Sequence, residues 1–562
     1  MTKRKWTISF AACLLSAQAL AAGPPTRILV NGNVLTMDAS DHMAQALAIE
    51  GDKIVAVGSD ADVRRLAGPD TSIIDLGGRT VIPGLNDAHI HAIRGGQTFR
   101  RETYWYDVAS LEDALARVKD AAAKRGAGKW VMVAGSWSPA QFTENRAPTV
   151  EDLDRILPDN PGYVQYLYDY AIVNQKGLRE LGFDQPGASM PGIRIEKDAQ
   201  GRPTGKLFGN IASFSALVAR ITASADDEER KSSLAHFLKA LNARGVTGIV
   251  DAAGGGSGAA VYDPLFDLWR EGKLTVRVSY RVSAQIPGNE AAWFSNATAY
   301  LPPHFGDGML KFLGLGEILV FQANDGTRLA PGFQISQEAS DELYKVAMLA
   351  AHRRYPLEIH AYTNDAARHI LDVFERVGQT VDLRLLRWCI AHISIGTPET
   401  FARMKKLGLC YSVQMGPYYE ATKIAVSNGE TVAESTPPVR LAVDEGVPIV
   451  GGTDSTRIGE YNTWRAIEYL VTGRAVGGSV QRRADYAVER SQVLRFYTAN
   501  AAWLTFDEET RGTLEVGKVA DLAVLDNPFL TMPAKQIHSI RSLLTFVSGK
   551  VVWSEAPFAS VR

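Results

Sequence analysis

Apolar and polar positions fall into distinct regimes along the chain. Near the start, residues 26–36 (TRILVNGNVLT), 46–57 (ALAIEGDKIVAV) and 72–82 (SIIDLGGRTVI) are short β-rich runs. Asn-Gly, Gly-Asp and Gly-Gly punctuate them, and these are dipeptides of tight hairpin turns. The far end has the same character at 520–526 (ADLAVLD) and 543–553 (LLTFVSGKVVW, with Ser-Gly as the turn). Matching runs at opposite ends predict one small β-sandwich built from 26–82 and 506–553. The span 83–505 is then a domain inserted between its halves.

That middle span alternates short apolar runs with helical patterns. Strands are expected at 245–251, 274–282, 309–315, 356–362, 386–393, 408–414 and 448–454, with helices between them such as 339–354 and 364–377. Near-continuous apolar strands alternating with helices imply a parallel sheet. His360 and His392 are 32 residues apart, and His392 and Asp454 are 62 apart. Those spacings match one and two βα units of a barrel of about 250 residues. The fold class is therefore α/β, a (β/α)8 TIM-like barrel with a small β-sandwich. The stretch from about 100 to 240 is too long for two units and is expected to hold an insertion or lid rich in Trp and Tyr.

The first residues read as an address. Lys3, Arg4 and Lys5 precede an apolar stretch from Trp6 to Leu20, and Ala19-Leu20-Ala21 supplies small residues for cleavage. This is the layout of a secretory signal peptide over 1–21. The expectation is an exported protein, periplasmic in a Gram-negative cell and secreted otherwise. The chain has 562 residues, 46% hydrophobic and 22% charged, with a net charge of −2. That composition is globular and not disordered. No basic segment points to nucleic acid, and past the leader no apolar stretch is long enough to span a membrane. Three cysteines cannot make a disulfide framework. Loss of the leader removes Cys13. Cys389 and Cys410, each in a strand-like run, are expected as buried free thiols.

The ten histidines carry the chemistry. VIPGLNDAHIH ends in His89 and His91, and residues i and i+2 at a strand end face the same side. Alone, His-x-His is weak evidence. Repetition strengthens it: His360 closes PLEIH, His392 closes RWCIAH and Asp454 closes PIVGGTD. Each is a potential ligand at the C-terminal end of an apolar strand, where such barrels place their active sites. Imidazole and carboxylate suit Zn²⁺ and its first-row neighbours. His42, His236, His304, His352, His369 and His538 lack this placement.

These residues sit among motifs that carry a resemblance. ILVNGNVLTMD, PGLNDAHIH, GRPTG at 201–205, GVTGIVDA, GGTDS, YTANAAWLT at 497–505 and RGTLEVGKVADLAVLD at 511–526 follow one another in family order. The chain resembles amidohydrolase family three of the amidohydrolase superfamily, metal-dependent hydrolases that include an N-substituted formamide deformylase. The resemblance covers nearly all of the mature chain and implies a (β/α)8 barrel with a small β-sandwich. It implies that His89, His91 and Asp454 hold one divalent metal, Zn²⁺ by preference, and that His360 and His392 hold a second. Many members bridge the two ions with a carbamylated lysine, for which Lys311 is the candidate here; Glu317 is the nearest alternative carboxylate. Three positions depart from the family pattern. LGLGE stands where the family has an Asp-Gly pair, Asp169 stands five before Asn174 where it tends to have His, and Gly209 replaces a glutamate. Substrate contacts are thus expected to be rebuilt, and one or two ions remain open.

The implied reaction is hydrolysis of a C–N bond in a small amide, formamide or cyclic amide, with Asp454 as general base and His392 orienting the carbonyl. Aromatic clusters at 104–106, Trp137, Phe142, Tyr166, Tyr168, Tyr170, Tyr418 and Tyr419 suggest either an aromatic substrate or ordinary packing. Arg457 stands three residues past Asp454, either to meet a substrate carboxylate or in a surface salt bridge. GGGSGAA at 254–260 lacks a phosphate-loop ending and reads as a flexible loop, and no G-x-S-x-G elbow is present. A non-catalytic exported barrel is the alternative, although it needs no base at Asp454. A carboxylate-pair glycosidase leaves the histidines unexplained. The sequence leaves the oligomeric state open, with a homo-oligomer among the options.

Overall fold

A computed structural model describes residues 23–253 and 258–561. The expected leader over 1–21 and most of the glycine-rich run at 254–257 lie outside the described residues.

Eight short parallel strands form the centre. They are β1 (Leu85–Ile90), β2 (Val246–Asp251), β3 (Arg277–Val282), β4 (Leu310–Leu315), β5 (Glu358–Ala361), β6 (Cys389–His392), β7 (Cys410–Val413) and β8 (Ile449–Gly451). β1 to β4 pair in one parallel sheet and β5 to β8 in another. A parallel bridge between Leu315 and Leu357 links the two sheets on one side. On the other, the Asp454 amide donates to the His89 carbonyl at 2.9 Å. The arrangement is a TIM-barrel-like α/β fold. Nearly every strand position is buried on both faces, which is why these strands read as apolar runs and not as alternating ones.

Helices cover the strands where their sequences leave an apolar stripe. The helix Asn364–Gly378 starts where Thr363 caps the Ala366 amide and buries Ala367, Ile370, Leu371, Phe374 and Val377. That spacing is one face of a 3.6-residue period. Removing the Phe374 ring would cost about 3–5 kcal/mol.

Two further sheets come from the chain ends, and the second combines both. One pairs Lys53–Gly58, Ala46–Glu50, Arg27–Val30 and Ser72–Asp75. In the other, Thr80–Pro83 lies antiparallel to Leu522–Leu525, which pairs with Ser542–Val547. Leu29, Ile49 and Ile74 of the first share a buried core with Val81, Leu522 and Phe546 of the second. The expected insertion falls in the stretch between β1 and β2. It carries a five-stranded sheet, with Gly162–Tyr166 between Val131–Ala134 and Tyr170–Val173. It also carries the helix α1 (Ile211–Ile221).

One expectation is corrected here. Cys389 and Cys410 are not free thiols; they form a disulfide with a Cα separation of 4.4 Å. They are register partners on the neighbouring strands β6 and β7. Residues paired across parallel strands project to the same face, within the distance a disulfide spans.

Candidate metal centre and active site

The C-terminal ends of β1, β4, β5, β6 and β8 converge on one buried cluster. His89 lies on β1 and His91 just past it, Glu317 lies just past β4, His360 lies on β5, His392 closes β6 and Asp454 follows β8. The side-chain donors of three overlapping trios lie within 4.8 Å of one another: His89, His392 and Asp454; His89, His91 and Glu317; Glu317, His360 and His392. Glu317 is common to two of them. Its Oε2 stands 2.9 Å from His360 Nδ1 and 3.1 Å from His392 Nε2, while Oε1 stands 3.3 Å from His91 Nε2. Asp454 Oδ1 is also 3.3 Å from His91 Nε2.

Backbone geometry aims these groups. His392 and Asp454 have positive φ, 73° and 55°, which turns each side chain inward at a strand end. Such conformations are unfavourable for non-glycine residues by about 1–2 kcal/mol. Gly316 has φ 138°, and a Cβ there would stand 2.4 Å from the Glu358 carbonyl. Glycine is therefore required immediately before Glu317. At Gly452 a Cβ would stand 2.7 Å from the His89 backbone, so its absence lets β8 press against β1.

A ring of partners fixes the histidine tautomers. His89 Nδ1 donates to Glu358 Oε1 at 2.6 Å, His91 Nδ1 to the Ala253 carbonyl at 2.5 Å and His360 Nε2 to the Gly326 carbonyl at 2.7 Å. The remaining ring nitrogen of each points inward at the carboxylates, and it is the one that would give up its proton and ligate when a cation binds. His89 Nε2 is fully buried and has no hydrogen-bond partner. A buried nitrogen without a partner is costly, and a cation removes that cost. The electrostatics agree. Burial opposes ionisation of Glu317, yet the surrounding His360, His392 and His91 hold its carboxyl well below the usual range. Burial also pulls His91 down, and Asp454 and Glu317 more than offset it, carrying it up to about 10. His360 rises to about 9 against burial, through Glu317. His392 is lowered, by burial and by His360. Two carboxylates demand positive charge at this point, and the donors present fit one or two divalent cations.

Lys311 is not part of this cluster. It lies near the N-terminal end of β4, where its Nζ donates to Asp507 Oδ1 and to the Thr505 carbonyl, both at 2.7 Å. Glu317, past the other end of the same strand, occupies the place expected of it. Arg457 is neither a surface ion pair nor a free anion contact. It is buried, and its guanidinium holds both Glu102 oxygens at 2.9 and 3.0 Å. Asp169 pairs with Lys423 at 2.8 Å. Trp105, Trp137 and Phe142 are buried against one another and are packing. Tyr168 lines the cavity over the cluster, and so does Tyr362, whose ring stacks on His360 at 5.3 Å. Sequence patterning missed Tyr362 and Glu358, although they stand two residues either side of His360, Glu358 on its strand and Tyr362 just past it. It also missed Arg94, one turn past His91.

The cavity over the cluster is small, about 40 Å³, and is bounded by His91, Glu317, His360, His392 and Asp454. A larger one of about 300 Å³ adjoins it; Arg94, Tyr168 and Arg457 belong to both walls. A cleft of about 1010 Å³ lies far away on the terminal sheets, beside Arg27 and Phe558, and has no such ligand cluster among the described residues.

Residues 72–553 match the model of the amidohydrolase family. The chain belongs to that family. It is a hydrolase of carbon–nitrogen bonds in small molecules, and the family is metal-dependent. It is 26% identical to N-substituted formamide deformylase of Arthrobacter pascens over 93% of this chain and 97% of that one. Among solved structures it resembles a metal-dependent hydrolase of Pyrococcus horikoshii, with TM-score 0.64 and 20% identity over 91% of this chain and 99% of that one. It also resembles a mutant atrazine chlorohydrolase of Arthrobacter aurescens in complex with zinc and atraton. There the TM-score is 0.52 and identity 15%, over 94% and 95% of the two chains.

Proposed function

We propose that this amidohydrolase is an exported, zinc-dependent enzyme that hydrolyses small amides, formamides or cyclic amides. The eight parallel strands are read as one closed barrel, and the mixed terminal sheets as a β-sandwich. The observation that carries the catalytic reading is Glu317 at the hub of His91, His360 and His392, with Asp454 against His91. His89, His91 and Asp454 would hold one cation, His360 and His392 a second, and Glu317 would serve both. Bound there, the cation supplies Lewis acidity that polarises a carbonyl and acidifies water. Asp454 takes the proton from the attacking water and passes it to the leaving nitrogen as the C–N bond breaks. His392 orients the carbonyl. Tyr168 and Tyr362 line the cavity, which supports a flat or aromatic group beside the reacting bond.

Export is supported by the basic, apolar and small-residue layout of residues 1–21. The disulfide between Cys389 and Cys410 agrees with an oxidising compartment. Sequencing of the mature protein should start near Ala22; an intact Met1 on cytosolic protein overturns export.

The catalytic test combines metal analysis with turnover on a panel of formamides, amides and cyclic amides. The His89→Ala/His91→Ala double variant should lose bound metal together with activity. Asp454→Asn should fold and lose about 10²–10⁴-fold in turnover, the usual cost of removing a general base. Wild-type metal content in the double variant, or turnover of Asp454→Asn within a few-fold of wild type, contradicts the assignment.

A further inference from the structure

The 300 Å³ cavity beside the metal cluster is lined by three arginines, Arg94, Arg230 and Arg457, and by no aspartate or glutamate among the described residues. The three are not equivalent. Arg457 is neutralised by its two hydrogen bonds to Glu102. Arg230 pairs with Asp227 at 2.8 Å, whose carboxylate is 95% exposed, so this pair belongs to the outer mouth. Arg94 forms neither a hydrogen bond nor an ion pair with any described residue, and it is largely shielded from solvent. Asp251, which accepts from the amide next to Arg94, is already engaged. Its oxygens accept from Ile93 N, Ala253 N and the Tyr262 hydroxyl.

Arg94 also borders the cavity over the cluster. Its guanidinium therefore faces the space a substrate fills when its amide lies on Glu317 and Asp454. An uncompensated, partly desolvated guanidinium recognises a carboxylate well, because its forked donors match the two oxygens. The opposite wall comes from α1, with Ala212, Ser215, Ala216 and Ala219 leaving room for a chain of modest width.

We propose that Arg94 is a specificity residue that binds an anionic group of the substrate. The preferred substrate is then an N-formyl or N-acyl compound bearing a carboxylate on its amine side. This rests on the hydrolytic reading of the cluster but deepens it, since that reading alone is satisfied by neutral amides.

The test uses a matched pair, N-formylphenylalanine and the neutral N-formylphenethylamine, which differ only in the carboxylate. Binding to metal-loaded protein is measured by calorimetry and hydrolysis in parallel. Wild type should bind the anionic member at least about tenfold more tightly, the scale of one charge-assisted hydrogen bond, and added salt should erode the difference. In Arg94→Gln the anionic-to-neutral affinity ratio should fall by about that factor, and Arg94→Lys should restore part of it. Equal wild-type affinities overturn the proposal whether or not the variant folds. So does an anionic preference that survives in Arg94→Gln, which places the carboxylate on the metal. Failure to hydrolyse either compound, with the binding preference intact, counts against the catalytic reading and leaves the role of Arg94 standing.

Discussion

Lys311 and Glu317 stand at opposite ends of β4, and the length of that strand decides which of them reaches the metal site. Lys311 meets Asp507 beneath the sheet, with side-chain exposures of 14% and 21%, whereas Glu317 meets three imidazoles above it. Lys311→Met should therefore keep its metal content and lose about 1 kcal/mol of stability, because Asp507 loses one of its two cations and keeps Arg511. Glu317→Gln should lose at least one equivalent of metal, and its melting temperature in chelator should fall below that of wild type, since His91 and His360 lose the carboxylate that holds their charge. Metal analysis and thermal melts on both variants check this; a metal-free Lys311→Met would restore the carbamylated lysine. At this scale the sequence was informative where chemistry repeats. Four histidines and Asp454 at the ends of four barrel strands were legible because each closes an apolar run. Glu317 ranked only as an alternative because it sits past its strand, on a turn that Gly316 makes possible. Arg94 was silent, since an arginine without a partner looks no different in sequence from one with a partner.

At the scale of elements, the helix Gly416–Asn428, which follows β7, brings Glu420 into the interior. Its nearest cation is Lys423 at 3.5 Å, with Asp169 and the Tyr362 hydroxyl also facing it. Burial pushes the carboxyl up from 4.5 to about 7. Between those values the folded chain keeps a proton that the unfolded chain has released. Stability is therefore lost as pH rises through that window. Glu420→Gln lacks this loss, and it should gain on wild type by up to about 3 kcal/mol between pH 4 and pH 8. Denaturant titrations across that range test it; parallel stability curves would show that Glu420 ionises freely. The bond between β6 and β7 makes a second prediction at this scale. Cys389→Ser/Cys410→Ser should lose about 3 kcal/mol through the loop it releases, as the mature protein does under reductant. The strands themselves were legible as apolar runs, yet the bond between them was not. Register across two parallel strands, which sets Cys389 opposite Cys410, depends on the barrel's stagger and leaves no mark in either run.

For the whole molecule, the alternation of runs located the parallel strands and the turn dipeptides located the terminal sheets. The interior of the insertion was less legible. Its Trp and Tyr residues fit a binding wall and a packed core equally well, and only the fold distinguishes Tyr168 from Trp137. The terminal sheets also set how the protein comes into being. Thr80–Pro83 has Asn33–Leu35 on one edge and Leu522–Leu525 on the other, so one edge of an early strand must wait for a strand made near the end of synthesis. A chain shortened before residue 519 should be insoluble or rapidly digested, with Val81 and Ile49 left uncovered; soluble, protease-resistant protein after that deletion would show that the halves fold apart. The ribosome thus releases a thread whose first strands can pair among themselves but whose second sheet stays unfinished to the end. Were the chain exported, as proposed, such a delay would be an asset: the last stretch to emerge is the one that locks the shape, and it would do so on the far side.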